Sequence, residues 1–101
     1  MNKSFKIVLA ESRLSASGAI PNFSDYKEIV VIINSNGLSK SYYMPMEFLK
    51  ASSSIVLANF WQYEGISKGY ATIKITNNGE YHVGNNIPAN SENSSVYVLA
   101  K

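Results

Sequence analysis

The stretch that decides the fold runs from Tyr26 to Met44 and reads YKEIVVIINSNGLSKSYYM. It contains five consecutive β-branched residues, Ile29 to Ile33, which are restricted at χ1 and fit a pleated sheet better than a helix. Because this run is apolar on both faces, it predicts a central strand covered on both faces. The sequence NSNG follows at residues 34–37, and Asn-Gly between two such runs is a strong hairpin signal. The stretch therefore predicts a β-hairpin with one arm in the core and the other nearer the surface.

Similar strand signals occur on both sides of this hairpin. Residues 70–76 carry an apolar side chain at every second position, a period that marks a strand with one buried and one solvated face. A second Asn-Gly turn follows at residues 77–79. Residues 12–18 are small and polar, and they predict either a loop or an irregular edge strand. Residues 44–50 carry the only helical signal, about one turn, with Pro45 at its first position.

These segments amount to about seven short strands with frequent turn signals, a pattern typical of all-β sandwiches and barrels. Residues 1–101 are therefore predicted to form one small antiparallel β-sandwich with at most one or two helical turns. Residues 62–69 and 84–94 are predicted to be loops. The residues predicted to be largely buried are the apolar positions on the inward faces: Ile7, Leu9, Ile29, Val31, Ile33, Ile55, Leu57, Ile73, Ile75, Val96 and Val98.

Composition excludes several classes of function. The formal net charge is +2, and the lysines are scattered among acidic residues, so the basic stripe expected of a nucleic-acid binder is missing. The chain contains no cysteine, which excludes disulfides and thiolate metal sites. No stretch approaches the ~20 apolar residues of a membrane-spanning helix, so membrane insertion is not expected. The starting methionine is compatible with a complete protein and with a fragment.

Catalytic and metal sites are also not expected. His82 is the only histidine, and no spacing of carboxylates around it suggests a metal site. A triad of a serine with His82 and Asp25 is formally possible, but the chain contains no Gly-x-Ser-x-Gly nucleophile elbow. We therefore expect no catalytic residues, no metal and no cofactor, and we interpret His82 as an exposed or hydrogen-bonded strand residue.

Aromatic and amide side chains are the better candidates for function. Trp61 and Tyr63 lie where a predicted strand enters a loop, and Asn85 and Asn86 lie in the second polar loop. Aromatic rings supply contact area at low entropic cost, and amides both donate and accept hydrogen bonds, as sugar hydroxyls require. Trp61, Tyr63, Asn85 and Asn86 are thus the predicted ligand-binding residues. The alternative is that the aromatic rings cap the ends of a small core.

The order of these signals resembles that of a known family. A small-residue stretch at residues 14–20 (LSASGAI) precedes residues 23–31 (FSDYKEIVV), and a Tyr-Met-Pro segment follows at residues 43–45. Residues 69–75 (GYATIKI) and the closing strand at residues 96–101 (VYVLAK) complete the pattern. The chain resembles, over nearly its whole length, the C-terminal tip domain of bacteriophage tail fibre and tail spike proteins.

The resemblance implies a trimeric, non-enzymatic β-sandwich that recognises a glycan or protein on the surface of a bacterial host. It implies a place in the virion tail after synthesis in the host cytoplasm. Two alternatives stay open at this point. One is a stand-alone carbohydrate-binding or lectin-like module, and the other is a small cytoplasmic immunity or inhibitor protein that blocks a toxin.

Overall fold

The computed structural model describes residues 4–12, 16–35, 38–63, 67–86 and 94–101, and for residues 60–63, 67–70, 85 and 86 it describes only the backbone. The described part contains eight strands, one α-helix and one 3₁₀ turn. In chain order they are β1 (Lys6–Glu11), β2 (Ser17–Ala19), the 3₁₀ turn (Phe23–Asp25), β3 (Glu28–Ser35), β4 (Leu38–Pro45), α1 (Met46–Ala51), β5 (Ser54–Tyr63), β6 (Ser67–Thr76), β7 (Glu80–Asn86) and β8 (Ser94–Ala100).

The strands form two four-stranded antiparallel sheets packed face to face, which confirms the predicted β-sandwich. The first sheet has the strand order β1-β8-β3-β4, and the second has the order β2-β7-β6-β5. The described part of the structure has one strand more than the seven predicted. This strand is β2, which begins within residues 12–18, where the sequence predicted either a loop or an irregular edge strand. Its three residues pair with His82, Tyr81 and Glu80 of β7.

The predicted hairpin is the centre of the first sheet. All eight residues of β3 pair with β4, from Glu28 opposite Pro45 to Ser35 opposite Leu38, and the other edge of β3 pairs with β8. Ile29, Val31 and Ile33 are fully buried against the second sheet. The second face of the strand has no layer above it among the described residues, and Val30 and Ile32 on that face are only half-buried. Within the described part of a single chain, the expectation of cover on both faces is therefore wrong, because only neighbours in the same sheet shelter those side chains.

The core between the sheets is apolar and follows the period of two. From the second sheet it takes Ala71, Ile73 and Ile75 of β6 and Val83 of β7, and from β8 it takes Val96, Val98 and Ala100. Seven of the eleven residues predicted to be buried are completely inaccessible: Ile29, Val31, Ile33, Ile73, Ile75, Val96 and Val98. Leu9, Ile55 and Leu57 are partly buried and pack against this core.

Ile7 is the exception, because it is 60% exposed. A register shift in β1 between Ile7 and Leu9 places Leu9 opposite the inward Val98 but Ile7 opposite Leu99, on the outer face. The extra residue, Val8, makes this a β-bulge, which reverses the face on which the following side chains lie. Strict alternation therefore predicted the wrong face for Ile7.

One end of the sandwich is closed by the helix and the 3₁₀ turn, and we call it the proximal end. Met46 and Leu49 of α1 are buried there, together with Ile20 and Phe23. Pro45 lies one position earlier than predicted, as the residue that precedes the helix. Gly79 has φ of 88°, and an added Cβ atom would lie 2.6 Å from the Cβ atom of Phe23. Only glycine fits both the conformation and the space at this turn. No helix in the described part is long and apolar enough to cross a membrane.

Val31→Asp is expected to abolish cooperative folding, because it places an unpaired carboxylate at a fully buried position between the sheets. Val56→Asp is the matched control, since Val56 on β5 is 64% exposed and its replacement should change the free energy of unfolding by about 0.5 kcal/mol or less. Urea unfolding followed by circular dichroism distinguishes the two. A Val31→Asp variant that unfolds cooperatively near the wild-type midpoint would refute the central position of β3.

Candidate functional site

The four predicted ligand-binding residues lie on strands rather than in loops. β5 continues through Trp61 and Tyr63, which pair with Gly69 and Ser67 of β6, and β7 continues through Asn85 and Asn86. The predicted loops at residues 62–69 and 84–94 are therefore too long, because the strands on both sides extend into them. Alternation is weak in these polar and aromatic stretches, so sequence placed the strand ends too early. The side chains of all four residues, and residues 64–66 and 87–93, lie outside the described part.

The backbone nevertheless brings the four residues to one region of the second sheet. Asn86 pairs with Tyr70 of β6, and Tyr70 pairs on its other side with Phe60, the residue before Trp61. Only one strand, β6, separates the two predicted segments, which corresponds to about 10 Å between their backbones. Contact between their side chains stays a prediction.

The same end of the molecule carries the turn of the β3–β4 hairpin. The amide of Asn59 in β5 donates hydrogen bonds of 2.9 Å to the carbonyl oxygens of Ile33 and Leu38, across the gap between the sheets. Because all neighbouring strands are antiparallel, the connections at residues 13–15, 36–37, 64–66 and 87–93 all leave strand ends on one side of the sandwich, opposite to α1. We call this the distal end.

The buried polar residues of the described part all lie toward the distal end. They are Ser35, Asn59 and Ser94. Ser94 Oγ lies 3.5 Å from Ser35 Oγ, and both N–H groups of the Asn59 amide are used in the bonds to β3 and β4. Burial of a polar group is costly unless it is hydrogen-bonded, and these contacts meet that requirement. We call these three side chains the polar floor; they lie close to the strand ends from which the distal connections leave. The sequence pattern did not predict this polar floor. Its one signal in the sequence was Asn59, a single amide within the apolar run of β5.

A second cross-sheet bond reinforces the first. The hydroxyl of Tyr42 in β4 donates a hydrogen bond of 2.6 Å to the carbonyl oxygen of Ala58 in β5, and the Nζ atom of Lys40 lies 5.4 Å from the centre of the Tyr42 ring. The ring of Tyr42 is half-buried and packs against the core. β4 and β5 are the edge strands on one side of the two sheets. Tyr42 and Asn59 thus join two edges that the backbone alone would leave separate.

The two outer faces of the sandwich differ in character. On the first sheet, the register aligns Ile7, Leu99, Val30 and Tyr43 in one row across all four strands, and we call this row the apolar row. Exposed polar side chains occupy the outer face of the second sheet, among them Ser17, Lys74 and His82. Apolar patches on an otherwise polar surface are typical of interaction surfaces.

Comparison of the chain with family models, with curated proteins and with solved structures found no match. Function is therefore inferred from the residues and geometry of the chain itself.

His82 shows the arrangement expected of a strand histidine. It is exposed, and its Nδ1 atom lies 2.6 Å from Ser17 Oγ on the neighbouring strand. Asp25, the carboxylate that sequence considered as its partner, lies in the 3₁₀ turn at the proximal end. Within the described ranges, no group of three histidine or carboxylate side chains is placed to hold a metal ion.

Tyr43, at one end of the apolar row, supports a pH prediction. Its hydroxyl donates a 2.5 Å hydrogen bond to Glu28 Oε1, and this bond, with burial and the negative charge of Glu28, raises the pKa of Tyr43 above its ordinary value of 10.0. Because the folded state favours the neutral phenol, the bond stabilises the fold below pH 10 and this contribution is lost as pH rises through the folded pKa. A ¹³C NMR titration should place the Tyr43 transition above pH 10, and Glu28→Gln should lower it. A Tyr43 transition at or below pH 10 in the wild type would contradict the bond.

Proposed function

We propose that this chain is a non-enzymatic recognition module, similar to the tip of a phage tail fibre, which binds a glycan or protein receptor on a bacterial surface through its distal end. The observation that carries the proposal is that the strand ends from which four chain connections leave lie at one end of the sandwich, beside a polar floor of hydrogen-bonded side chains. Recognition proteins commonly place contact residues on connections that a rigid scaffold positions, where they vary without disturbing the core.

The contacts of the polar floor supply the rigidity that this arrangement needs. Asn59 holds the β3–β4 hairpin near its turn, and Tyr42 holds the edge of β5. The distal ends of β3, β4 and β5 are thereby joined to one another across the two sheets. A ligand that binds to pre-organised segments loses less free energy to ordering them.

The chemistry of the proposed contact residues suits a sugar or a polar protein surface. Trp61 and Tyr63 would provide aromatic area, and Asn85 and Asn86 would provide paired donors and acceptors. The backbone carries both segments on one sheet, close enough for a ligand of one or two sugar rings to span them. In this proposal the protein only binds its ligand, so it is not an enzyme and needs no cofactor.

We further propose that three copies assemble through the apolar row, giving a closed cyclic homotrimer in the virion tail. Ile7 and Tyr43 are 60% and 58% exposed at the two edges of the row, and Leu99 and Val30 lie between them. None of these four side chains carries a charge at neutral pH, so identical faces meet without repulsion. Closed rings of identical subunits bury such a face without leaving an open end.

Trp61→Ala and Tyr63→Ala are expected to reduce binding to bacterial cells or to a glycan array by about tenfold or more, since buried aromatic contacts dominate binding free energy. Thermal unfolding should stay nearly unchanged. Phe48→Ala is the matched control, because Phe48 is an exposed aromatic residue on α1 at the proximal end. If Trp61→Ala or Tyr63→Ala unfolds the protein instead, these aromatics cap the core and the proposed contact surface is wrong.

Light scattering after size exclusion is expected to give three times the monomer mass of 11.1 kDa, independent of dilution. Ile7→Lys should convert the trimer to monomer, because it places three like charges in the proposed interface. Val56→Lys is the matched control, because Val56 lies on the other sheet and is about as exposed as Ile7. This variant should leave the mass unchanged. A wild-type protein that runs as a monomer at all concentrations contradicts the assembly.

A further inference from the structure

A groove at the proximal end has the composition of a binding site. Its volume is about 570 Å³, within the range of pockets that hold small ligands. It lies between the start of β1, the segment around the 3₁₀ turn and the end of β8. The residues that line it include Lys6, Asn22, Asp25, Tyr26, Lys27 and Lys101.

Main-chain hydrogen bonds hold the walls of this groove in place. Asn22 has φ of 56°, and its carbonyl oxygen accepts a bond of 2.9 Å from the N–H of Asp25. The N–H groups of Lys27 and Glu28 both donate to the main-chain oxygen of Lys101, at 2.8 and 3.1 Å. Beneath the turn, Phe23 is buried against Gly79. The groove is therefore formed before any ligand arrives.

The charges in the groove are unbalanced toward the positive. The Nζ atom of Lys101 lies 3.6 Å from Glu28 Oε2, so the charge of Lys101 is already engaged in an ion pair. Within the described ranges, neither Lys6 nor Lys27 forms an ion pair with a carboxylate. The Nζ atom of Lys6 lies 5.4 Å from the centre of the Tyr26 ring, which holds this charge at the groove by a cation–π contact. Asp25 carries the only acidic side chain in the lining, against the three lysine side chains.

We propose that this groove binds a sugar that carries an oxyanion, either a carboxylate or a phosphate. The ammonium groups of Lys6 and Lys27 would hold the oxyanion by charge-assisted hydrogen bonds. The Asp25 carboxylate would accept hydrogen bonds from sugar hydroxyls, and the Asn22 amide would bond to them as donor or acceptor. Asp25 repels any oxyanion, and only a ligand with hydroxyl donors would form hydrogen bonds to Asp25 that offset this repulsion. The groove thus favours an acidic sugar over both a neutral sugar and a bare anion.

This inference does not rest on the proposed function. The groove lies at the end of the sandwich opposite to Trp61 and Tyr63, and its ligand is tested with purified compounds rather than with cells. Trp61→Ala is therefore expected to leave binding in the groove intact, so failure of one proposal does not affect the other.

The test uses the whole chain and isothermal titration with four probes: glucuronic acid, glucose 6-phosphate, glucose and inorganic phosphate. The double variant Lys6→Gln/Lys27→Gln removes the two unpaired cations from the groove. Lys74→Gln is its matched control, since Lys74 is an exposed lysine on the outer face of the second sheet. Thermal unfolding of each variant shows that the fold is retained.

Saturable binding of glucuronic acid or glucose 6-phosphate is expected, with shifts in ¹⁵N NMR spectra around Tyr26 and Lys27. The double variant should weaken it about tenfold or more, and Lys74→Gln should leave it unchanged. Binding carried only by the carboxylate sugar, or only by the phosphate sugar, identifies which oxyanion the groove takes. The proposal is overturned if neither acidic sugar binds, or if the double variant binds them as the wild type does. It is also overturned if glucose or inorganic phosphate binds as tightly as the acidic sugar that binds best.

Discussion

The pairing of β3 with β4 on one edge and β8 on the other is the constraint on which the remaining structure depends. It fixes the inward face of the first sheet, because side chains alternate strictly along a strand. A slip of one residue would turn Ile29, Val31 and Ile33 outward and place the outer residues in the core. The second sheet has its own pairing, but its apolar face is covered only while β3 keeps this register.

The two ends of the sandwich are built in different ways. At the proximal end, a helix and a 3₁₀ turn insert Met46, Leu49 and Phe23 into the core, and apolar contacts close it. At the distal end, the described core is completed by serines and by Asn59, whose bonds run to the main chain. An apolar closure leaves little room for change, whereas connections above a polar floor vary with little effect on the core. This contrast supports the distal end, rather than the apolar closure of the proximal end, as the place of the proposed Trp61 and Tyr63 contact surface.

Sequence was most informative where periodicity was strong. The β3–β4 hairpin, the alternation of β6 and the turn at Gly79 were all visible as local patterns, and together they predicted the sandwich. The bulge at Val8 was not visible, because nothing in an apolar run marks an extra residue, and so Ile7 was placed on the wrong face. The strands at Tyr63 and Asn86 extend beyond the predicted ends because pairing with β6, rather than local propensity, holds them.

The candidate sites show the same division. The segments that carry Trp61, Tyr63, Asn85 and Asn86 were predicted from residue type, and the backbone brings them to one region of the second sheet. The bonds of Tyr42 and Asn59 join residues that lie far apart in the chain, as do the walls of the lysine-lined groove. Such contacts depend on how the sheets stack, and no local pattern in the sequence encodes them.

The place of β8 between β1 and β3 has a consequence for synthesis on the ribosome. Lys6 pairs with Ala100, and Ile29 pairs with the same residue from the other side, so the strand that joins the two parts of the first sheet is translated after all the others. The contacts of the β3–β4 hairpin are local in the chain, whereas those of β1 with β8 join distant residues, and distant contacts generally form more slowly. Until the final strand emerges, β3 has one unpaired edge and β1 has no partner in its sheet. During that interval the nascent chain exposes its most apolar strand, the state in which small β-proteins are most open to aggregation.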